Sequence, residues 1–521
     1  MSEYPDAVQA FLDQPGEHLV LTSMPGLATS GKYARVLVVV ADRADLRAAV
    51  LPHALRTSAV AVWIAAADVA PGLVARPEWP PMKAFRSQPV GDGYLVVARF
   101  EQPVRVDNVV RELGRLSVWP LVGGAGGLVV DDGSGPGVPL EDRDVPPDVV
   151  LDPGAALVEH HVTGRVPVLV KAVDDIGPFD ERVFNPIGFE AVVDGPEVEL
   201  ASLRGQRPSE ALVRSLRPAA AVTGRAEGAH DAALVATLSM SGVPSVQLAD
   251  PVAREEHSVL QRREALRTFS TAAWRRRAAD RAGVRVATEP SVSVVLATRR
   301  PDMLGFALRQ VRRQAGVDLQ LVLAAHGFEP DADVLREHGP ERVVVRPQSS
   351  DVLFGDVLNA GVEAADGDLV LKMDDDDWYS SDFVADLLLA RSYSGAEMVG
   401  TPAEFHYLVE KDVTVRRGHR AELYAPFIAG GTMLVERGLL REVGGFRSVR
   451  RFVDAQLIAA VQRAGAATYR THGLGYLLRR NASGHTWQVD DDYLLDPSRV
   501  AEIRPGFAPS RLLDVDEIDL P

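Results

Sequence analysis

Along most of the chain, short continuous apolar runs alternate with amphipathic stretches, the pattern of buried strands followed by helices. Arg35 to Val40 and Ala59 to Ala65 read as strands, with a helical stretch over Asp42 to Leu55 between them. Pro218 to Val222 predicts another strand and His230 to Met240 a helix. After a turn at Gly242-Val243-Pro244 come a strand over Ser245 to Leu248 and a long arginine-rich helix over Val252 to Arg281. From Pro290 the alternation becomes regular. Strands are predicted at Ser291 to Thr298, Leu319 to Ala324, Arg342 to Arg346 and Asp368 to Met373, with helices at Met303 to Gln314, Asp331 to His338 and Val352 to Ala365. Segments at this spacing imply a mostly parallel sheet with helices on both faces, an α/β fold.

Glycine, aspartate and proline crowd Gly123 to Pro147, and Ala287-Thr288-Glu289-Pro290 interrupts the pattern again, so both read as boundaries. The expected organisation is an N-terminal α/β lobe over 1–145, a second α/β lobe over 146–288, a third domain over 289–490 and a C-terminal extension over 491–521. The third domain is expected to fold without Met1 to Ala287. A length of 521 residues supports several cores, and 46% hydrophobic with 25% charged residues is the make-up of a globular protein. The net charge of −16 argues against non-specific nucleic-acid binding, which needs a basic surface. The absence of cysteine excludes disulfides, thiolate metal sites and cysteine nucleophiles. Met1 to Gly16 lacks the apolar core of a secretory signal, and Ala59 to Ala70 is too short to span a bilayer. A cytoplasmic protein, at most peripheral to a membrane, is expected.

The most informative chemistry is a run of four aspartates, Asp374 to Asp377, between the strand-like Leu369-Val370-Leu371-Lys372-Met373 and Trp378-Tyr379. Like charges this close raise one another's pKa. A hard divalent cation relieves that repulsion and prefers carboxylate oxygens. The run therefore reads as a metal site at the C-terminal end of a strand, where open α/β sheets bind ligands. A solvated acidic loop is the plainer alternative.

Several ordered pieces resemble a family 2 glycosyltransferase of the GT-A fold, over Pro290 to about Gln488. Val292 to Thr298 with Arg299-Arg300 is similar to its opening nucleotide-binding strand. Leu358-Asn359-Ala360-Gly361 and Ala365-Asp366-Gly367-Asp368 resemble the helix before the metal strand, and Lys372-Met373 with the aspartates resembles its DxD region. Gly430-Gly431-Thr432 and Gly444-Gly445-Phe446 lie where acceptor-side loops belong. Asp454 opens a helix as the catalytic carboxylate does, although Val453 replaces the usual Glu before it. Arg479, Arg480 and His485-Thr486-Trp487 resemble a closing motif of a bacterial subgroup. The resemblance implies a GT-A mixed sheet, preceded here by Rossmann-like α/β lobes. Ser239 to Val246 with the arginine-rich helix resembles the tail of a degenerate GT-B-type lobe.

The resemblance implies roles for these residues. The donor is a nucleotide-diphosphate sugar, the acceptor a glycan or lipid-linked hydroxyl, and the cofactor Mn²⁺ or Mg²⁺. Asp376, Asp374 and His485 are candidate metal ligands. Thr298, Arg299, Arg300, His326, Asn359, Lys372, Asp374 and Asp375 are candidates for donor binding, and Gly430, Gly431 and Trp378 for acceptor binding. Asp454 is the candidate general base of an inverting transfer, and it equally suits a helix N-cap. Asp377 is expected to orient the loop. Trp378 and Tyr379 read either as a sugar-stacking pair or as packing beneath the aspartates. A carboxylate is expected where His326 stands, so the nucleotide base is not specified. No Q-x-x-R-W motif follows Asp454, which implies single rather than processive transfers. A sugar nucleotidyltransferase needs a glycine-rich loop after the first strand, which Leu296 to Asp302 lacks. A non-catalytic nucleotide- or glycan-binding scaffold is the remaining alternative.

Overall fold

Buried β-branched and leucine runs form the strands, as their patterning requires. The computed structural model describes residues 5–22, 31–41, 46, 50, 57–66, 79–90, 93–117, 178–192, 194–224, 226–245, 251–273, 290–480 and 491–521. The chain divides into two compact units, one of Met1–Gly127 with Gly395–Glu397 and Ala459–Ala467, the other of Leu128–Ser394, Met398–Ile458 and Thr468–Pro521. No described helix is long and apolar enough to cross a membrane.

The first unit holds a mixed sheet of strands β1 (His18–Thr22), β2 (Gly31–Val39), β3 (Thr57–Ala66), β4 (Met82–Val90) and β5 (Gly93–Arg105), ordered β1-β2-β3-β5-β4. The first three are parallel, and β5 and β4 run antiparallel. Val36, Val38, Val62, Ile64 and Val96 share one core with Val106, Val109, Val110 and Leu113 of the helix Val106–Ser117. The predicted helix over Asp42 to Leu55 lies almost wholly outside the described residues.

In the second unit, β6 (Glu197–Glu199) and β7 (Ala221–Thr223) form a parallel pair. The main sheet uses β8 (Val292–Thr298), β9 (Leu319–Ala325), β10 (Val343–Val345), β11 (Leu369–Met373), β13 (Met398–Gly400), β16 (Leu423–Tyr424), β17 (Leu434–Glu436) and β18 (Thr468–Arg470). Their order is β10-β9-β8-β11-β17-β13-β18-β16. The predicted β8 to β11 half is parallel, and β17 enters beside β11 antiparallel. A second sheet, ordered β12-β19-β14-β15-β20, joins β12 (Trp378–Tyr379), β14 (Phe405–Leu408), β15 (Val413–Arg417), β19 (Tyr476–Arg480) and β20 (Val500–Pro505).

One expectation changes. The boundary near 288 does not separate compact units, because the described residues of 178–273 belong with those of the third domain. The arginine-rich helix, Pro251–Phe269, is buried along most of its length. Its Arg263 binds Asp386 through Nε at 2.8 Å and Nη2 at 2.7 Å, and Arg267 reaches Asp382 at 2.9 Å. Arg262 pairs with Glu422, and Glu255 accepts from Arg416 at 2.6 Å. These partners lie more than a hundred residues away, so local patterning does not reveal them.

Candidate active site

Strand register brings the site together. β11 runs parallel to β8 with Met373 opposite Leu296, so Asp375, two residues on, falls beside Thr298. The Thr298 hydroxyl donates to Asp375 Oδ2. β17 runs antiparallel to β11 with Leu371 opposite Leu434, which carries Gly431 to the level of Asp374. The Tyr379 hydroxyl locks that level: it accepts from the Asp374 N–H at 2.9 Å and donates to the Gly431 carbonyl at 2.9 Å.

Each aspartate has a different environment. Asp377 is buried and structural, accepting from the Tyr476 hydroxyl at 2.6 Å and the Arg479 N–H at 2.9 Å. Burial, with the charges of Asp376 and Asp374, pushes its carboxyl well above the usual range. Asp375 and Asp376 share the Arg300 guanidinium, whose Nε lies 3.1 Å from Asp375 Oδ2 and whose Nη1 lies 2.8 Å from Asp376 Oδ2. Its Nη2 also pairs with Asp375. Asp376 is still pushed up to about 6 by burial, with Arg300 opposing and Asp375 adding to the rise. Asp374 is the accessible member, its side chain 36% exposed.

Lys372 links the aspartate run to Asp454. Its ammonium is buried, 2.6 Å from Asp374 Oδ1, 3.2 Å from the Gly430 carbonyl and 3.5 Å from Asp454 Oδ1. Burial opposes that charge, yet the carboxylates of Asp374 and Asp454 outweigh it and hold Lys372 above its ordinary value. Asp454 sits in the first turn of helix Val453–Arg463. Burial raises its pKa, Lys372 opposes the rise and Asp374 adds to it. The two glycines make this approach possible. A Cβ on Gly430 would lie 2.7 Å from the Asp454 carboxyl carbon, and one on Gly431 would lie 2.7 Å from Asp374 Oδ2.

Other predicted residues fall elsewhere. Trp378 is a correction: it is fully buried, its ring packs 5.7 Å from Phe306 and 4.9 Å from Phe507, and its Nε1 donates to the Asp519 carbonyl at 2.8 Å. It therefore packs beneath the aspartate loop and offers no face to a sugar. Asn359 is another: its amide donates to the Phe446 carbonyl and accepts from the Phe446 N–H, both at 2.8 Å, which staples its helix to the Gly444–Phe446 loop. His326 is buried against Arg299, whose Nε donates to Nδ1 at 2.9 Å. Burial and that guanidinium lower its pKa, leaving a neutral imidazole. Arg299 also donates to the Ser350 carbonyl at 2.7 Å. His485 lies outside the described residues. Residues not singled out by sequence include Tyr476 and Gln310, the latter accepting from the Tyr379 N–H at 3.1 Å. Their polar groups are set by the second sheet and by helix packing, and carry no local motif.

A divalent cation is the cofactor the aspartate run implies. Among the described residues no group of three or more His, Asp or Glu stands ready to hold one. Small hard cations commonly use one or two carboxylates and complete their shell with substrate phosphates and water, so a partial set suffices. Lys372 and Arg300 offset part of the charge of Asp374, Asp375, Asp376 and Asp454. Burial and the neighbouring carboxylates still push the Asp376 carboxyl up to about 6, a cost that a cation beside it would relieve, so Asp374 and Asp376 suit such an ion.

Residues 293–458 match the family model described as glycosyl transferase family 2. No curated protein matches the chain. Among solved structures, a mannosyltransferase, PcManGT from Pyrobaculum calidifontis in complex with GDP-Man and Mn²⁺, is similar with 14% identity and a TM-score of 0.30, over 38% of this chain and 59% of that one. TarS of S. aureus (residues 1-349) in complex with UDP-GlcNAc is similar at 14% identity and TM-score 0.30, over 39% of this chain and 63% of that one. The chain thus spans about three-fifths of those structures.

Proposed function

From the glycosyl transferase family 2 domain that the chain carries over residues 293–458, we propose a metal-dependent, inverting transfer of a sugar from a nucleotide-diphosphate donor to an acceptor hydroxyl. One observation carries the reading: a single buried ammonium, Lys372, touches both Asp374 on the donor strand and Asp454 on the opposing helix. Two carboxylates with different partners thus flank one space, one suited to donor binding and the other to proton abstraction.

Asp374 and Asp376 would hold the cation, which when bound acts as a Lewis acid toward the diphosphate leaving group. Arg300 and Lys372 add positive charge beside the phosphates. Asp454 takes the proton of the acceptor hydroxyl as its oxygen forms the new bond to the anomeric carbon. The bond from that carbon to the diphosphate oxygen breaks, and the electron pair leaves with the diphosphate. Burial raises the Asp454 pKa, and a base of higher pKa accepts that proton more readily. Attack opposite the leaving group inverts the anomeric centre. The donor sugar, the acceptor glycan or lipid-linked hydroxyl and a cytoplasmic setting belong to the same proposal.

A donor-hydrolysis screen across nucleotide sugars, with and without Mn²⁺ or Mg²⁺, tests it. Asp376→Asn should abolish the metal-dependent part of donor binding, and Asp454→Asn should remove turnover while donor affinity persists. Hydrolysis of no nucleotide sugar, or full turnover by Asp454→Asn, would refute the reading.

A further inference from the structure

We propose that the rim preceding Asp454 binds a phosphate-bearing acceptor, with Arg447 and Arg450 on the phosphate and Phe452 against the adjoining apolar or sugar face. This inference rests on the glycosyl-transfer reading, with Asp454 as base.

The segment Arg447-Ser448-Val449-Arg450-Arg451-Phe452 runs directly into the helix of Asp454. Phe452 has a φ of 63° and is 71% exposed. A bulky aromatic in the left-handed region is strained, and here the strain is not relieved by burying the ring. Phe427, three residues before Gly430, is also exposed, at 51%. Gly430 lies against Asp454, so the backbone at both aromatics starts near the base, with the Phe452 Cα within about 7 Å of that of Asp454 along the chain.

Several arginines of this acidic chain are committed to carboxylates. Arg262, Arg263, Arg300, Arg309, Arg391 and Arg416 all hold carboxylates. Arg447 and Arg450 are exposed and have no carboxylate partner among the described residues. Their backbone is nevertheless fixed. The Ser448 hydroxyl donates to Asp356 Oδ2 at 2.6 Å, the Gly355 N–H donates to the Val449 carbonyl at 3.2 Å, and Asn359 staples Phe446. A loop pinned by its backbone with guanidiniums left unpaired is a preorganised anion site. An aromatic next to it supplies apolar contact for the group that carries the anion.

A glycosyl phosphate in solution and a phosphate on a lipid carrier share this chemistry. The full chain would first be loaded with Mn²⁺ and whichever of UDP, GDP, ADP, CDP or TDP binds, so that the donor site is filled. Titration with glucose 1-phosphate, glucose and farnesyl phosphate then reads the rim. One phosphorylated probe should bind at least tenfold more tightly than glucose, and its identity tells a soluble from a lipid-borne acceptor. Arg447→Gln with Arg450→Gln should bring that preference to within twofold, and the double lysine variant should restore most of it. Phe452→Gly should weaken the preferred probe at least threefold while raising the melting temperature, because the strain is released. Failure of every nucleoside diphosphate to bind would bring down the glycosyl-transfer reading and this one with it. Diphosphate binding without phosphate preference, or a preference that survives the double glutamine variant, overturns this inference alone.

Discussion

Replacing Gly430 with alanine tests the site's geometry more sharply than removing a charged group. Gly430 is not among the residues with positive φ, so alanine brings no backbone strain. The added methyl would lie 2.7 Å from the Asp454 carboxyl carbon, whereas unstrained carbon atoms sit roughly 3.5 Å apart. Asp454 Oδ2 would lie closer still, so the carboxylate or its helix must move by at least about 0.8 Å. A misplacement near 1 Å in a catalytic group costs on the order of 100-fold in rate, or about 2.7 kcal/mol of barrier. Single-turnover transfer with saturating donor should thus slow by about two orders of magnitude, while calorimetric donor affinity changes by less than about threefold. Gly431→Ala crowds Asp374 and the Tyr379 hydroxyl instead, and should weaken donor binding first. A Gly430→Ala enzyme with turnover within threefold of the parent, or an equal loss of donor affinity in both variants, would show that Asp454 does not need the position it holds.

Deleting Met1 to Glu289 should give an insoluble product, because helix Pro251–Phe269 supplies the arginines for Asp382, Asp386 and Glu422; a soluble, cooperatively melting remainder would refute this. Within the intact chain, Arg263→Met leaves the buried Asp386 only partly compensated, by His472 at 3.2 Å, and should lower stability by about 3 kcal/mol in a denaturant titration. Arg300→Met should make thermal stability more responsive to Mn²⁺ than in the parent, since Asp375 and Asp376 lose their shared guanidinium; equal shifts would argue against metal binding there. His406 is fully buried with neither ring nitrogen hydrogen-bonded, and burial first, then Arg417, lowers it to about 3. Its folded pKa lies below the unfolded value of roughly 6.5, so the neutral ring's stability is complete above that pH and is lost as pH falls toward 3, at about 1.4 kcal/mol per unit. His406→Leu should flatten the fall in unfolding free energy between pH 6.5 and 4.5 relative to the parent, by about 2.7 kcal/mol over that range.

Much of the second unit was legible in the chain because its signals are local. The runs Val292–Thr298, Leu319–Ala325 and Leu369–Met373 are buried along most of their length, and continuous apolar patterning reports that. The aspartate run was legible as a cluster of repelling charges. Its division of labour was not. Asp377 became structural because Tyr476, on the second sheet, reaches back over about a hundred residues to bind it. Arg300 joined Asp375 and Asp376 only because β8 and β11 share a register. Trp378 looked equally fit for stacking or for packing, and the rings of Phe306, Tyr407 and Phe507 decided for packing. The burial of the arginine-rich helix was hidden for the same reason, since the carboxylates that hold Arg262 and Arg263 lie more than a hundred residues away.

By itself the sequence determined the α/β class, the strand that delivers the aspartates and the residue types gathered at the candidate site. These follow from period, burial and charge within a few residues. Tertiary structure alone decided which carboxylate pairs with which cation, and that Lys372 stands between Asp374 and Asp454. Strand register and long-range burial fix such pairings, and neither leaves a mark in local composition.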